Sequence, residues 1–130
     1  MHTISSNVEF VRTMVEAFQR GDLDTVGSCF ADDAVWELPG TSPVAGTYTG
    51  PEQIVGFLAD SFVRSGGTLR LELIEILGSD WGAVQVQRVL AERDGRTLDC
   101  VELLAHEVRD GKIVRTYHRP DQYAIDAFFG

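Results

Sequence analysis

His118 is the residue in this chain best suited to proton chemistry. It stands in Tyr117-His118-Arg119, inside an extended run. An unperturbed imidazole titrates near ~6.5, so small shifts let it give or take a proton near neutrality. Arg88 is the second candidate, because it sits between Val86 and Leu90 and a buried guanidinium needs a paired anion. It would polarise a carbonyl or enolate oxygen, or orient an acid; the structural alternative is an ion pair with Asp99 or Glu37. Trp36 and Tyr48 offer stacking surfaces and one polar tip each, with core packing the competing role for Trp36. His106 beside Glu107 reads as interface or surface, and Asp32-Asp33 as a turn at a helix end rather than a carboxylate dyad. Three scattered histidines without H-E-x-x-H or a His/Cys cluster predict no metal, and the lack of G-x-G-x-x-G or G-K-[ST] predicts no nucleotide cofactor.

The elements that must carry these residues follow from periodicity. Ser6-Asn7-Val8-Glu9 is a capping-box pattern, after which Val8, Val11, Val15 and Phe18 recur at helical spacing until Gly21. Asp22 opens a shorter helix with Leu23, Val26 and Phe30 on one face, followed by a short strand Val35-Trp36-Glu37-Leu38 and a loop over 39–50. Pro51 suits the first turn of a helix bearing Ile54, Phe57, Leu58 and Phe62, closed by Gly66-Gly67. From Thr68 the period drops to two, and Gly78–Gly82, Asp94-Gly95 and Asp110-Gly111 divide the rest into four antiparallel strands. Helices gathered on one face of an antiparallel sheet make an α+β layout. The tail places Ile125, Phe128 and Phe129 at i, i+3, i+4, a short helix that closes the chain's own cavity or packs on a second subunit.

Length and charge bound what such a domain does. At 130 residues a single domain over 1–130 is expected, able to bury a core without a metal or disulfide staple. The formal charge of −9, with Lys112 the only lysine, opposes nucleic-acid and anionic-membrane surfaces, which want basic stripes. No signal-peptide pattern opens the chain and no apolar run nears ~18 residues, so a cytoplasmic location is expected. Cys29 and Cys100 fit no metal or thioredoxin-like spacing and read as buried thiols, with a disulfide the alternative.

Four segments carry a family likeness: Gly-Asp-Leu-Asp at 21–24, Phe-Ala-Asp-Asp-Ala-Val at 30–35, Gly-Thr-Tyr-Thr-Gly-Pro-Glu at 46–52 and Asp-Gly-Lys-Ile-Val at 110–114. In this order they resemble the SnoaL-like and ketosteroid-isomerase-like branch of the nuclear-transport-factor-two-like superfamily. The resemblance implies a cone-shaped (cystatin-like) fold with an apolar pocket between helices and a curved sheet, and a homodimer through the outer sheet face. Laid over that picture, strand alternation points Trp36, Leu38, Val86, Arg88, Leu90, Val101, Leu103, Ala105, Val114, Thr116 and His118 into the cone, with Met14 from the first helix and Tyr48 at the mouth. Cys100, Glu102, Leu104, His106, Arg115 and Tyr117 fall outside, and Leu104, Val108, Ile113 and Tyr117 would make the dimer patch.

Ketosteroid isomerases use an Asp base and an oxyanion hole of Tyr and protonated Asp. The matching positions here read Leu38, Met14 and Ala105. Limonene-epoxide-hydrolase-like members set an Arg between two carboxylates; Arg88 matches the Arg, but Leu90 and His118 stand for the acids. SnoaL-like cyclases use a His/Asp pair on late strands, which His118 matches in part. The resemblance therefore implies cofactor-independent acid/base chemistry on a small apolar molecule, of the isomerase, cyclase or hydrolase type. A non-catalytic binder of an apolar metabolite and a dimeric interaction module are the alternatives, because this fold hosts many functions.

Overall fold

The structure, a computed structural model, describes residues 3–130. Helix α1 (Ile4–Gln19) starts at Thr3, whose hydroxyl accepts from the Ser6 amide while the Ser6 hydroxyl accepts from the Thr3 amide. The capping box thus sits three residues before the Ser6–Glu9 pattern, because Thr3 and Ser6 supply the same reciprocal bonds one turn earlier. Asp22 caps α2 (Leu23–Ser28) through the Thr25 amide. Strand β1 (Phe30–Leu38) is longer than expected, and the Gly-rich loop contains a further strand, β2 (Gly46–Thr49). Then come α3 (Gly50–Arg64), β3 (Arg70–Gly78), β4 (Gly82–Arg93), β5 (Arg96–Arg109), β6 (Lys112–Arg119) and α4 (Gln122–Phe129).

The six strands form one sheet in the order β2-β1-β6-β5-β4-β3. All neighbours are antiparallel except β1 and β6, which run parallel because the whole of α3 and β3–β5 crosses between them. Asp94-Gly95 and Asp110-Gly111 take paired left-handed conformations (φ 47° and 78°; 52° and 76°), the turn geometry that matches strand twist in a two-residue hairpin. Register shifts at Leu73/Glu75 and Glu107/Val108 mark bulges, which deepen twist and help wrap the sheet around its contents. The concave face is covered by α1 and α3, and the core runs through Val11, Val15, Ile54, Leu98 and Ile113. This is the α+β cone fold.

Helix α4 caps the cone rather than leaving its apolar face to a partner. Ile125, Phe128 and Phe129 are buried, and Asp126 Oδ1 accepts from the Thr41 and Ser42 amides at 3.1 Å each, tying α4 to the loop after β1. Cys29 and Cys100 are buried free thiols.

The facing of β4 and β5 is opposite to that expected. Gln85, Gln87, Val89 and Ala91 of β4, and Leu98, Cys100, Glu102, Leu104 and His106 of β5, point inward. Val86, Arg88, Leu90, Val101, Leu103 and Ala105 lie on the convex face. Trp36 and Leu38 of β1 and Thr116 and His118 of β6 face inward as expected, whereas Ile113, at the start of β6, is buried rather than on the outer face. The reversal has a physical cause: the inward row mixes polar and apolar side chains, and its polar members are satisfied by each other rather than by water.

Candidate active site

Four strands bring the inward polar residues into one line. Trp36 lies opposite Thr116, His106 opposite Thr116, Leu104 opposite His118, and Gln87 opposite Glu102. On the antiparallel pairs, opposed side chains on one face stand close enough to bond.

The hydrogen bonds have one consistent direction. The Trp36 indole N–H donates to His118 Nδ1 (3.3 Å), so that nitrogen is the acceptor and the ring proton rests on Nε2. His118 Nε2–H then donates to Glu102 Oε2 (2.9 Å). From the other side, the Thr116 hydroxyl donates to His106 Nδ1 (2.7 Å), and His106 Nε2–H donates to Gln85 Oε1 (2.9 Å). The Gln85 amide donates to Gln87 Oε1, and the Gln87 amide to Glu102 Oε1 (2.6 Å). Two donor chains therefore converge on a single carboxylate. Glu102 is 4% exposed, so it depends on these donors for its solvation.

Electrostatics follow from this arrangement. Burial pushes the Glu102 carboxyl up, but the His118 imidazole and the Gln87 amide outweigh it and hold the group below the usual carboxylate range. Burial, aided by the nearby His118, drives His106 down to about 3, which keeps it a neutral link in its chain. Cys100, next to this cluster, is pushed up to about 11 by burial and then by Glu102, so its thiol stays inert.

Beside the carboxylate is an apolar cavity of about 80 Å³. Met14, Trp36, Leu38 and Phe57 form part of its wall, α4 contributes Ile125 and Phe129, and polar groups enter only as Ser61, Gln85, Gln87, Glu102 and His118. The Trp36 ring stands edge-on to His118 (5.5 Å, 85°) and tilts against Phe57, fixing the imidazole plane.

Of the residues expected from sequence, His118, Trp36, Leu38 and Met14 line this cavity. Thr116 is buried behind it, bonded to His106. Tyr48 is not in the wall: it stacks on Phe57 (4.5 Å, 25°) and donates its hydroxyl to the Val44 carbonyl at 2.6 Å, bracing two wall residues from behind. Arg88 is exposed on the convex face, held bidentately by Asp99 (2.7 and 2.6 Å), and its guanidinium does not approach His118. The ion pair with Asp99 is the structural alternative for Arg88, and it raises the Arg88 pKa and lowers that of Asp99. Val86, Leu90, Leu103 and Ala105 leave the site with it, all by the same one-residue parity. Sequence reasoning missed Glu102, Gln85, Gln87 and His106. Their signal was polar residues of one parity, Gln85/Gln87 and Glu102/His106, on strands joined by a two-residue turn at Asp94-Gly95.

The cone, the concave polar line and the apolar cavity define a class of small α+β pocket proteins. Residues 11–116 match the SnoaL-like domain, and the chain belongs to that family. It is 33% identical over 114 residues, 87% of each chain, to an uncharacterized protein of Mycobacterium tuberculosis. Among solved structures it is similar to Bal32a from a soil-derived mobile gene cassette, at 32% identity and a TM-score of 0.92 over 98% of both chains. A protein of unknown function with a cystatin-like fold from Xanthomonas campestris follows at 26% identity and a TM-score of 0.87, over 95% of this chain and 98% of that one.

Proposed function

We propose that this chain is a cofactor-independent acid/base enzyme acting on a small, largely apolar molecule by isomerase-, cyclase- or hydrolase-type proton transfer. The observation carrying this reading is the buried Glu102 carboxylate, joined to His118 at 2.9 Å and bordering an otherwise apolar cavity. A buried carboxylate is costly, and such groups concentrate where proton transfer is needed. Glu102 replaces Arg88 as the partner of His118. An activated C–H of the substrate gives its proton to a Glu102 oxygen, while the His118 Nε2–H stays bonded to the carboxylate and holds it in place. Return of that proton to a different carbon completes an isomerisation with no net change in protons. The Trp36 bond occupies Nδ1, so His118 acts through Nε2 as the shared-proton partner of Glu102.

The test is deuterium exchange at acidic C–H positions of small apolar ketones, 2-tetralone for example, read by NMR in D₂O. Exchange by the wild type that is lost in Glu102→Gln and His118→Asn supports the enzyme. Tight ketone binding with no exchange above buffer overturns it and favours the binder. That second reading has an observation of its own: both nitrogens of His118 are already engaged within the protein.

A homodimer through the outer sheet face, with a cytoplasmic location, completes this reading. The patch differs from the sequence expectation, since Leu104, Val108 and Ile113 are buried inside. Val101 and Leu103, 52% and 46% exposed, with Val86 and Leu90 beside them, form the apolar band instead. Sedimentation should show a dimer at micromolar concentration that Leu103→Glu splits; a wild-type monomer counts against it.

A further inference from the structure

The polar groups of the cavity wall are left with acceptor sites. His118 has one ring hydrogen, on Nε2, and gives it to Glu102. The Ser61 hydroxyl, on α3, gives its hydrogen to the Phe57 carbonyl (2.9 Å). Glu102 has none to give. Its two oxygens receive one protein donor each, from Gln87 and His118, where a carboxylate has room for about four.

Charge points the same way. The Trp36 N–H donates to His118 Nδ1 only if that nitrogen carries no proton, so His118 is a neutral imidazole. An imidazolium would set two N–H groups against each other. Glu102 is thus an ionised group, 4% exposed, whose hydrogen-bond partners are both neutral. Among the described residues, neither the cavity wall nor the buried polar set contains a Lys or Arg. A buried charge calls for an opposite one, and the protein supplies none here.

The rest of the wall fits the same guest. Phe18, Trp36, Phe57 and Phe129 contribute aromatic rings, which attract alkyl groups and, across their faces, cations. At about 80 Å³ the cavity is smaller than the ~150 Å³ that houses benzene, so it suits a short or branched alkyl body.

We propose that this cavity binds a small protonated alkylamine, with its ammonium group hydrogen-bonded to Glu102 and its alkyl body against the aromatic rings. The inference rests on the reading of the cavity as a small-molecule site and holds whether or not Glu102 turns its ligand over.

Isobutylamine, isobutanol and isobutyrate share one body and carry positive, zero and negative charge near neutral pH. Each is titrated into the full chain and followed by Trp36 emission in a Trp81→Phe background. Isobutylamine should bind about tenfold or more tightly than isobutanol, as for a charge-assisted bond, and isobutyrate should not bind. Glu102→Gln should bring the amine down to the affinity of the alcohol. Nuclear Overhauser contacts from the isobutyl methyls to the Trp36 indole, measured on the wild type, locate the amine even if Glu102→Gln fails to fold. Equal affinity for amine and alcohol, or a preference for isobutyrate, overturns the proposal and puts the balancing charge on His118. A preference that survives Glu102→Gln, or amine binding without Trp36 contacts, overturns it too, since a chain of net charge −9 then attracts the cation elsewhere. If none of the three binds, the small-molecule reading of the cavity falls with it. Amine bound in the cavity with no exchange at any ketone C–H keeps this inference and sinks the enzyme; ketone exchange without a preference for the amine does the reverse.

Discussion

Strand β5 carries two carboxylates three residues apart, on opposite faces of the same sheet, each bonded to one basic side chain. Outside, Asp99 grips Arg88 with two bonds of 2.6–2.7 Å, and both side chains are 45% exposed. Inside, Glu102 meets His118 at a longer 2.9 Å, with side-chain exposures of only 4% and 10%. Distance alone would rank the outer pair first. Burial reverses the ranking, since water and salt screen the outer pair while the inner one has no substitute for its partners. An exposed pair is a convenience of the surface; a buried one commits the structure around it.

The comparison is broken most forcefully at Glu102. Glu102→Ala leaves the His118 and Gln87 donors without an acceptor, and unfolding free energy should fall by about 3–5 kcal/mol in denaturant titration. The double variant Glu102→Leu/His118→Phe removes both members of the pair and should recover much of that loss. If it is no more stable than the single variant, shape rather than charge dominates the site.

Trp36→Phe comes next. It removes the N–H that satisfies His118 Nδ1 and part of a packed ring, at a cost of about 2–3 kcal/mol by the same measurement.

Between pH 7 and 5 the inner face should also impose a pH dependence that the outer pair lacks, since Asp99, lowered by Arg88, gives up its share of stability only at more acidic pH. His106 titrates at about 3 in the fold against an ordinary value near ~6.5, so below ~6.5 the unfolded chain binds a proton that the folded chain refuses. Stability is therefore lost from pH 6.5 downward, by about 2 kcal/mol on going from pH 7 to 5. Glu102, held below its ordinary value, contributes stability that is present above its unfolded pKa and lost as pH falls through its folded one, so it adds a further loss at more acidic pH. Melting curves of His106→Gln should show a flatter slope between pH 7 and 5 than the wild type; an unchanged slope would place the titration elsewhere.

The smallest effect belongs to the outer pair. Arg88→Met should leave the melting temperature within the scatter of repeat scans and change no deuterium exchange. A clear loss of either would restore Arg88 to the site.

How far the sequence was readable differs element by element. Alternation, capping residues and the Asp-Gly turns are local signals, and they located α1, α3, α4 and the four long strands to within a few residues. Strand β2 escaped because Gly-Thr-Tyr-Thr has no apolar row of its own; pairing with β1 makes it a strand. His118 and Trp36 were visible as chemistry-bearing residues on rows whose apolar alternates left one choice of face.

The facing of β4 and β5 was another matter. Val86, Leu90, Val101 and Leu103 make an apolar row as convincing as Val89, Ala91, Leu98 and Leu104 in the other parity, and period two cannot choose between them. The amino-acid sequence by itself determined which segments other than β2 are helices and strands, where they turn, and that an imidazole would stand on the last strand. Only the tertiary structure decided which row of β4 and β5 faces inward. The worth of a buried Gln, Glu or His depends on partners from other strands: Gln87 on Glu102 fifteen residues away, His118 on Trp36 eighty-two residues away. Those hydrogen bonds cancel a desolvation cost that, residue by residue along the chain, argues against burial.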